Sequence, residues 1–371
     1  MVEMLLKKWF SMKLSPRRID RSLSRIEAES TGKKASGSET MTVRVSCIQR
    51  QIRPAASVGD YIAKLDAFVR QAAKEESRLA VFPEYNFFDL FGLIPGFALI
   101  DGYLSGKAKS KARAADRQQA DEAEADESGY SFFYKIFSAT SGPIEAALLR
   151  IMSALAARYG IYIYSGSYIS KRDAALYNSG TLFGPDGSPV LTQNKLHLTE
   201  FEIKIGLKGD DFLHVFPLFG TKAAMPICMD ATYFETFHAA RSAGADIVML
   251  PIANMEEYSL WKSLRGIWPR VQEAYVYGLK ASLNGWIAGM HFTGKAGIFA
   301  PIPLTPDGRG VLSISSRDEG DEVVSADLDF EKLHEAREAS EYYGDTNAAF
   351  EKDYIINAYQ EGVKHEKDIG R

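Results

Sequence analysis

Three side chains in this sequence are of the types that together attack a carbon–nitrogen bond covalently. They are a carboxylate, Glu84 in Val81-Phe82-Pro83-Glu84; an amine, Lys195 in Asn194-Lys195-Leu196-His197-Leu198; and a thiol, Cys228 in Pro226-Ile227-Cys228-Met229-Asp230. Each follows an apolar run, where a strand hands its last side chain to a cleft. A free thiol has a pKa of about 8.5, so little of it is thiolate at neutral pH and it needs a base or a cation beside it. Glu84, made more basic by burial next to Tyr85 and Phe88, is suited to take the proton. Lys195 and the backbone N–H of Met229 are suited to hold the oxyanion of a tetrahedral intermediate. Protonated Glu84 then serves the departing amine, and afterwards activates water to release the acyl group from Cys228. The cycle is complete without a cofactor or a metal.

Taken singly, each residue also has a plain structural reading. A Glu after Phe-Pro often opens a helix, a Lys in Asn-Lys-Leu-His is often surface charge, and a lone Cys is often a small core residue. Cys47, inside a strand pattern with no polar company, is assigned to that last class. The order of the three and their shared strand-end setting join them into one device. The histidines are scattered at 197, 214, 238, 291, 334 and 365, with no Cys–His hydrolase context and no metal-ligand spacing. His197 is expected to hydrogen-bond locally.

The elements that must hold these residues alternate between strand and helix. Strand patterns run over 42–49, 79–82, 161–167, 177–183, 190–195, 222–228, 247–251, 282–290, 296–299, 310–314 and 322–327. Helical spacing occurs at 61–74, 147–159, 233–243 and 270–278. The segments 177–183 and 190–195, joined by Gly184-Pro185-Asp186-Gly187-Ser188, read as a hairpin. The alternation predicts an α/β chain with helices covering a mixed sheet.

Three segments stand apart from that rhythm. Residues 1–40 hold nine Lys/Arg against five acidic residues and end in the Gly/Ser/Lys-rich stretch Thr31 to Thr40. They read as a basic N-terminal extension and linker, with a basic amphipathic helix making weak membrane-surface contact through 1–30 as the sharper alternative. Residues 89–145 form an insertion with apolar and aromatic flanks around the charged run 107–127. The run reads as an exposed helix or loop, and the flanks as a lid or a subunit contact shaping substrate access. Residues 336–371 form a charged tail carrying Tyr342, Tyr343, Phe350, Tyr354, Ile355, Ile356 and Tyr359, and are expected at a subunit interface. The domain between, 41–335, carries the chemistry.

Composition excludes several function classes. The net charge of −4 over 371 residues argues against nucleic-acid binding. Two cysteines exclude a disulfide framework and a multi-cysteine zinc site, and fit a cytoplasmic, reducing setting. No apolar run has the ~18–20 residues of a membrane-spanning helix, so stable membrane insertion is not expected.

On these motifs the chain resembles the carbon–nitrogen hydrolase (nitrilase) superfamily, whose members use a Glu-Lys-Cys triad. The likeness spans roughly residues 42–335. It rests on Phe82-Pro83-Glu84, Lys195-Leu196-His197-Leu198 with Glu202, Ile227-Cys228-Met229-Asp230 with Phe234-Glu235, Gly244 to Pro251, Arg270 with Glu273 ahead of Tyr277, and Gly294 to Pro301 with Asp307-Gly308. The resemblance implies a four-layer αββα sandwich, two mixed sheets face to face with helices outside. It also implies homodimers or larger assemblies and a fourth catalytic residue, the carboxylate Glu202, that orients Lys195 or positions substrate. Met229, Asn254 and Tyr85 are the candidate substrate-binding residues. Many amidase-type members carry an aromatic directly after the cysteine and an Arg four residues after it. Met229 and Thr232 stand there instead, and the Cys-Trp-Glu common in nitrilases proper is missing. Hydrolysis of a linear amide or N-carbamoyl compound is therefore expected ahead of nitrile hydrolysis. N-acyl transfer on the same triad and a non-catalytic interaction module are the further alternatives.

Overall fold

The computed structural model describes residues 2–26, 42–115, 127–341, 347 and 349–360. Strands β1 (Thr42–Gln51), β2 (Leu79–Val81), β3 (Tyr162–Arg172), β4 (Ala175–Phe183), β5 (Pro189–Asn194), β6 (Val215–Leu218), β7 (Thr221–Ala224), β8 (Ile247–Ala253), β9 (Tyr277–Ile287), β10 (Met290–Phe292), β11 (Gly297–Phe299), β12 (Val311–Ile314) and β13 (Glu322–Asp329) supply the sheet. Helices α1 (Val2–Lys13), α2 (Pro16–Leu23), α3 (Val58–Lys74), α4 (Phe97–Ala115), α5 (Glu127–Tyr159), α6 (Glu200–Lys204), α7 (Phe234–Ser242), α8 (Leu260–Leu264), α9 (Trp268–Ala274) and α10 (Phe330–Ala339) accompany it.

The strands run β5-β4-β3-β2-β1-β9-β8-β7-β6, with β13 antiparallel on β1, β10 and β11 antiparallel on β9, and β12 on β11. The ribbon folds at its middle. β1 pairs with β9 only over Gln49–Gln51 against Ser282–Asn284, and the two halves turn face to face about this short join. The layers follow from where the apolar faces point. One core lies between the halves, built by Val45, Cys47, Val81 and Tyr164 from the first and Met225, Met249, Leu279 and Ile298 from the second. Along β8, Met249 enters that core while Val248 and Leu250 point the other way, onto α7 and α9. The outer face of the first half is covered by α1, α2, α3 and α5. The αββα sandwich results.

Several local expectations are corrected. The strand expected over 222–228 stops at Ala224, because Pro226 has no N–H to continue the ladder. The helix expected to reach Gly278 stops at Ala274, where Tyr275 takes a left-handed φ of 50°, and β9 begins at Tyr277.

Residues 2–23 are not a loose extension. Phe10, Leu14, Ile19 and Leu23 are buried against α3 and α5, Trp9 Nε1 donates to the Leu93 carbonyl at 2.8 Å, and Arg150 grips Asp20 in a bidentate pair at 2.7 and 2.8 Å. Apolar residues interleaved with basic ones gave each of the two helices one face to bury and another to expose. The linker stretch 31–40 lies outside the described residues. The insertion is mostly helical where it is described. After a 3-10 turn at Phe88–Leu93 come α4 and the first turns of the 33-residue α5, and Phe87, Phe88, Phe91, Phe133 and Phe137 form one aromatic cluster. Part of the charged run, 116–126, lies outside the described residues. At the other end, α10 is anchored through Arg337, which bonds Asp246 and the Tyr275 carbonyl, and Tyr359 reaches Glu235 on α7 of the same chain.

Candidate active site

Glu84 stands three residues past β2, and its position depends on how closely β3 approaches. Gly166 has φ +68°, and a Cβ there would lie 2.0 Å from the Pro83 carbonyl oxygen. Only glycine allows that approach. Tyr85 follows in the left-handed region at φ 51°, which turns the Glu84 side chain inward and Tyr85 toward Glu202. Lys195 directly follows β5, its N–H bonded to the Asn178 carbonyl at 2.8 Å. Glu202 sits in α6, fixed by a capping box with Thr199. Cys228 opens a 3-10 turn at φ 47°, a left-handed conformation that is costly for a residue with a Cβ and is held here by its surroundings.

The structure brings these four together at the seam between the two halves. Lys195 Nζ donates to Glu84 Oε1 at 2.8 Å and to Glu202 Oε1 and Oε2 at 3.0 and 2.8 Å. All three side chains are buried. Glu84 Oε2 accepts the Ala253 N–H of β8 at 3.0 Å, so this carboxylate spans both halves. The Cys228 thiol is within hydrogen-bonding reach of Glu84 and of the Ala253 N–H. Cys228 keeps an accessible edge while its sulfur is densely surrounded.

The electrostatics follow from burial and pairing. Burial raises the Glu84 pKa, and the charge of Glu202 adds to this against the pull of Lys195. Burial also raises Glu202, but the charge and hydrogen bond of Lys195, with bonds from Tyr85 and Thr199, outweigh it and hold Glu202 below its ordinary value. Burial opposes the charge on Lys195, yet Glu84, Cys228 and Glu202 keep its pKa above the usual lysine range. The Cys228 thiol is pushed well up by burial and by Glu84, with Lys195 and the Ala253 N–H working the other way. The resting arrangement is thus a protonated thiol beside a carboxylate of enhanced basicity and a lysine that stays charged.

The three candidate substrate contacts are placed differently. Met229 is half-buried directly after the thiol. Asn254 is half-buried just past Ala253, its carbonyl taking the Thr293 N–H at 2.9 Å. Tyr85 is buried, stacked on Phe88 at 4.9 Å, and its hydroxyl donates to Glu202 Oε1 at 2.5 Å. The ring braces Glu202 from beneath.

Sequence reasoning missed two members. Asn178 of β4 donates from Nδ2 to Glu84 Oε1 at 2.8 Å and to Glu202 Oε1 at 2.9 Å, so one amide fixes both carboxylates. Asn178 lies among other polar residues of the hairpin, Ser179, Thr181, Thr192, Gln193 and Asn194, so nothing in the sequence singled it out. Asp230 accepts the backbone N–H groups of Leu196 (3.1 Å), His197 (2.6 Å) and Ile227 (2.8 Å), which ties the Lys195 segment to the Cys228 segment. His197 does hydrogen-bond locally, its Nδ1 lying 3.2 Å from Asp230, and it stacks on Tyr233.

The family model for carbon-nitrogen hydrolases matches residues 44–338. This chain belongs to the carbon-nitrogen hydrolase family. It is thereby a member of the nitrilase superfamily of hydrolases. It is 24% identical over 304 residues to a "Probable hydrolase YhcX" of Bacillus subtilis (strain 168), a match that covers 80% of this chain and 52% of that protein. The chain therefore spans about half the length of that relative. It is 27% identical over 201 residues to an "Omega-amidase NIT2" of Xenopus tropicalis, covering 50% of this chain and 68% of the other. In fold it is similar to a crystal structure of an amidase from Nesterenkonia sp., with a TM-score of 0.57, 19% identity, and coverage of 88% of this chain and 100% of the amidase. A mutant of the Nesterenkonia sp. AN1 amidase shows covalent addition of the acetamide moiety of fluoroacetamide at its active site cysteine, with a TM-score of 0.56 and 18% identity over 87% of this chain and 100% of that one.

Proposed function

We propose that this protein hydrolyses a linear amide or an N-carbamoyl compound through an acyl-enzyme on Cys228. The observation that carries the reading is the Glu84 carboxylate, which meets the Lys195 ammonium, the Ala253 N–H and the Cys228 thiol at once. Glu84 takes the thiol proton as sulfur attacks the carbonyl carbon. The oxyanion so formed is held by Lys195 and by the Met229 N–H. Glu84 returns the proton to the nitrogen, the C–N bond breaks, and the amine or ammonia leaves. A water molecule then gives its proton to Glu84 and attacks the thioester, which releases the acid and restores the thiol. The raised pKa of Glu84 suits both directions of this proton shuttle. Glu202, braced by Tyr85, Thr199 and Asn178, keeps Lys195 pointed at the reacting carbon.

The reading is tested by incubating the protein with a mixed library of amides, carbamoyl compounds and nitriles, quenching in acid and recording intact mass. An acyl adduct that maps to Cys228 and is missing in Cys228→Ala supports it, and the adduct mass names the acyl group. An adduct formed only from nitriles would move the substrate assignment, and one that turns over only when an acceptor amine is added would make the protein a transferase. Amide hydrolysis by Cys228→Ala at the parent rate would overturn the reading.

A further inference from the structure

The two N-terminal helices bury one side and leave the other free, and the free side mixes apolar and basic groups. α1 packs on α5, and α2 on α3 and α5, through Phe10, Leu14, Ile19 and Leu23. The opposite sides of both helices therefore look outward from the body. On α1 that side presents Met4, Leu5 and Met12, which are 68%, 56% and 47% exposed, beside the exposed Lys7 and Lys8. On α2 and just past it stand Arg17, Arg18, Arg21 and Arg25, all exposed. Residues 2–26 hold seven Lys/Arg against two acidic residues, in a chain whose net charge is −4. The positive charge is thus gathered on this one face.

The fold itself uses neither kind of group. Among the described residues no carboxylate pairs with Lys7, Lys8, Arg17, Arg18, Arg21 or Arg25, and Asp20, the one acid on α2, is held by Arg150. Arg17, Arg18 and Arg21 are neighbours along the helix, where like charges cost stability. Arg18, Arg21 and Arg25 join Lys13 around a cavity of about 270 Å³ that Ser57 and Gly59, at the start of α3, also line. Guanidinium groups so placed suit phosphate oxygens. Cations alone would serve a nucleic acid or a free phosphate equally. Met4, Leu5 and Met12 favour a different partner, since exposed apolar side chains beside them gain only where acyl chains lie behind the phosphates. We propose that the outer face of α1 and α2 is a docking surface for an anionic lipid bilayer. The arginines and lysines take the headgroups, and Met4, Leu5 and Met12 sink to the acyl boundary. Long Lys and Arg stems let both kinds of contact form at one depth. No helix among the described residues is long and apolar enough to cross a membrane, so the contact is peripheral.

The proposal is independent of the reaction assigned to Cys228. It is tested by flotation of the full-length protein with vesicles of phosphatidylcholine alone and of phosphatidylcholine with phosphatidylglycerol in equal parts. Two combined variants are compared with the parent: Arg18→Gln with Arg21→Gln and Arg25→Gln, and Met4→Ser with Leu5→Ser and Met12→Ser. The parent is expected to float with the anionic vesicles and not with the neutral ones. Each cation near an anionic surface is worth about fivefold in partitioning, so the arginine variant should bind about a hundredfold more weakly. The apolar variant should lose about tenfold. Both should melt with the parent, because the side chains replaced are exposed. Binding should also fall steeply as salt shortens the screening length from about 10 Å at 0.1 M to about 3 Å at 1 M. No flotation with anionic vesicles at low salt would overturn the proposal, as would equal flotation with neutral ones or a folded variant of either kind that binds like the parent. Should the arginine variant not fold, parent binding undiminished at high salt would overturn it instead. Inorganic phosphate or a DNA duplex that binds the protein while anionic vesicles do not would overturn it too, and would give the face to a soluble anion.

Discussion

Replacing Asn178 with alanine tests the reasoning about the carboxylate pair most directly. Its Nδ2 donates to Glu84 at 2.8 Å and to Glu202 at 2.9 Å, and Asn178 is fully buried. Hydrogen bonds to charged groups are worth about 1.5–3 kcal/mol each, so removing both costs about 3–6 kcal/mol if both carboxylates stay ionised. Glu84 has an escape. Its pKa is already raised by burial and by the charge of Glu202, and with one fewer donor it accepts a proton instead. The loss of stability at neutral pH should therefore lie near the lower figure, about 3 kcal/mol. What remains appears in catalysis. A larger share of Glu84 is protonated at pH 7 and unable to take the thiol proton, and Glu202 no longer holds Lys195 in line. On an amide that the parent protein turns over, kcat/KM should fall about a hundredfold, with the acid limb of the pH–rate profile moved to higher pH. Denaturant unfolding and the pH profile together form the assay. An Asn178→Ala protein with an unmoved acid limb and kcat/KM within threefold of the parent would refute the account of Asn178 as the shared clamp.

Two further outcomes follow from the geometry. Gly166→Ala should cost about 3 kcal/mol or more and abolish turnover, since its Cβ meets the Pro83 oxygen at 2.0 Å and displaces Glu84, whereas Gly160→Ala, at a similar φ of +65° with nothing within 4 Å, should cost about 1 kcal/mol; equal melting temperatures for the two would refute the close-approach argument. Burial opposes the charge on Asp246, but the Thr221 hydrogen bond, Arg337 and His334 outweigh it and lower its pKa, so the stability it gives to the docking of α10 is fully present above its unfolded value near 3.8 and is lost as pH falls through the lower folded value; Asp246→Asn should remove that part of the acid-unfolding curve and lower stability by about 2 kcal/mol at neutral pH, and an unchanged acid limb would count against the anchor.

What could be read in the sequence divides along a physical line. Glu84, Lys195 and Cys228 could be singled out because each follows an apolar run whose end is marked by Pro83, Asn194 or Pro226, whereas Glu202 came only from the family resemblance. The left-handed backbone at Tyr85 and Cys228 was not legible, since neither residue type announces φ > 0. Asn178 and Asp230 were hidden for another reason: their roles depend on which strands become neighbours, which no local window contains. Tyr85 stood beside Glu84 in sequence and so invited a substrate role, but the turn at its own backbone sends it to Glu202. The N-terminal helices were misjudged because nine cations dominate the composition of 1–40, while burial is decided by four apolar side chains, Phe10 on α1, Leu14 just after it, and Ile19 and Leu23 on α2.

Glu84, Lys195, Glu202 and Asn178 come from one half of the sheet, and Cys228 and Ala253 from the other. The centre is therefore a suture, complete only while the two layers are pressed together, and Asp230 is one of its stitches. Reacting groups lose effectiveness steeply with displacements of about an ångström. Turnover thus acts as a strain gauge for the sandwich. A slight parting of the layers, caused by heat, pressure or a substitution in the core between them, will silence the chemistry while the helices outside still give the circular dichroism of a folded protein.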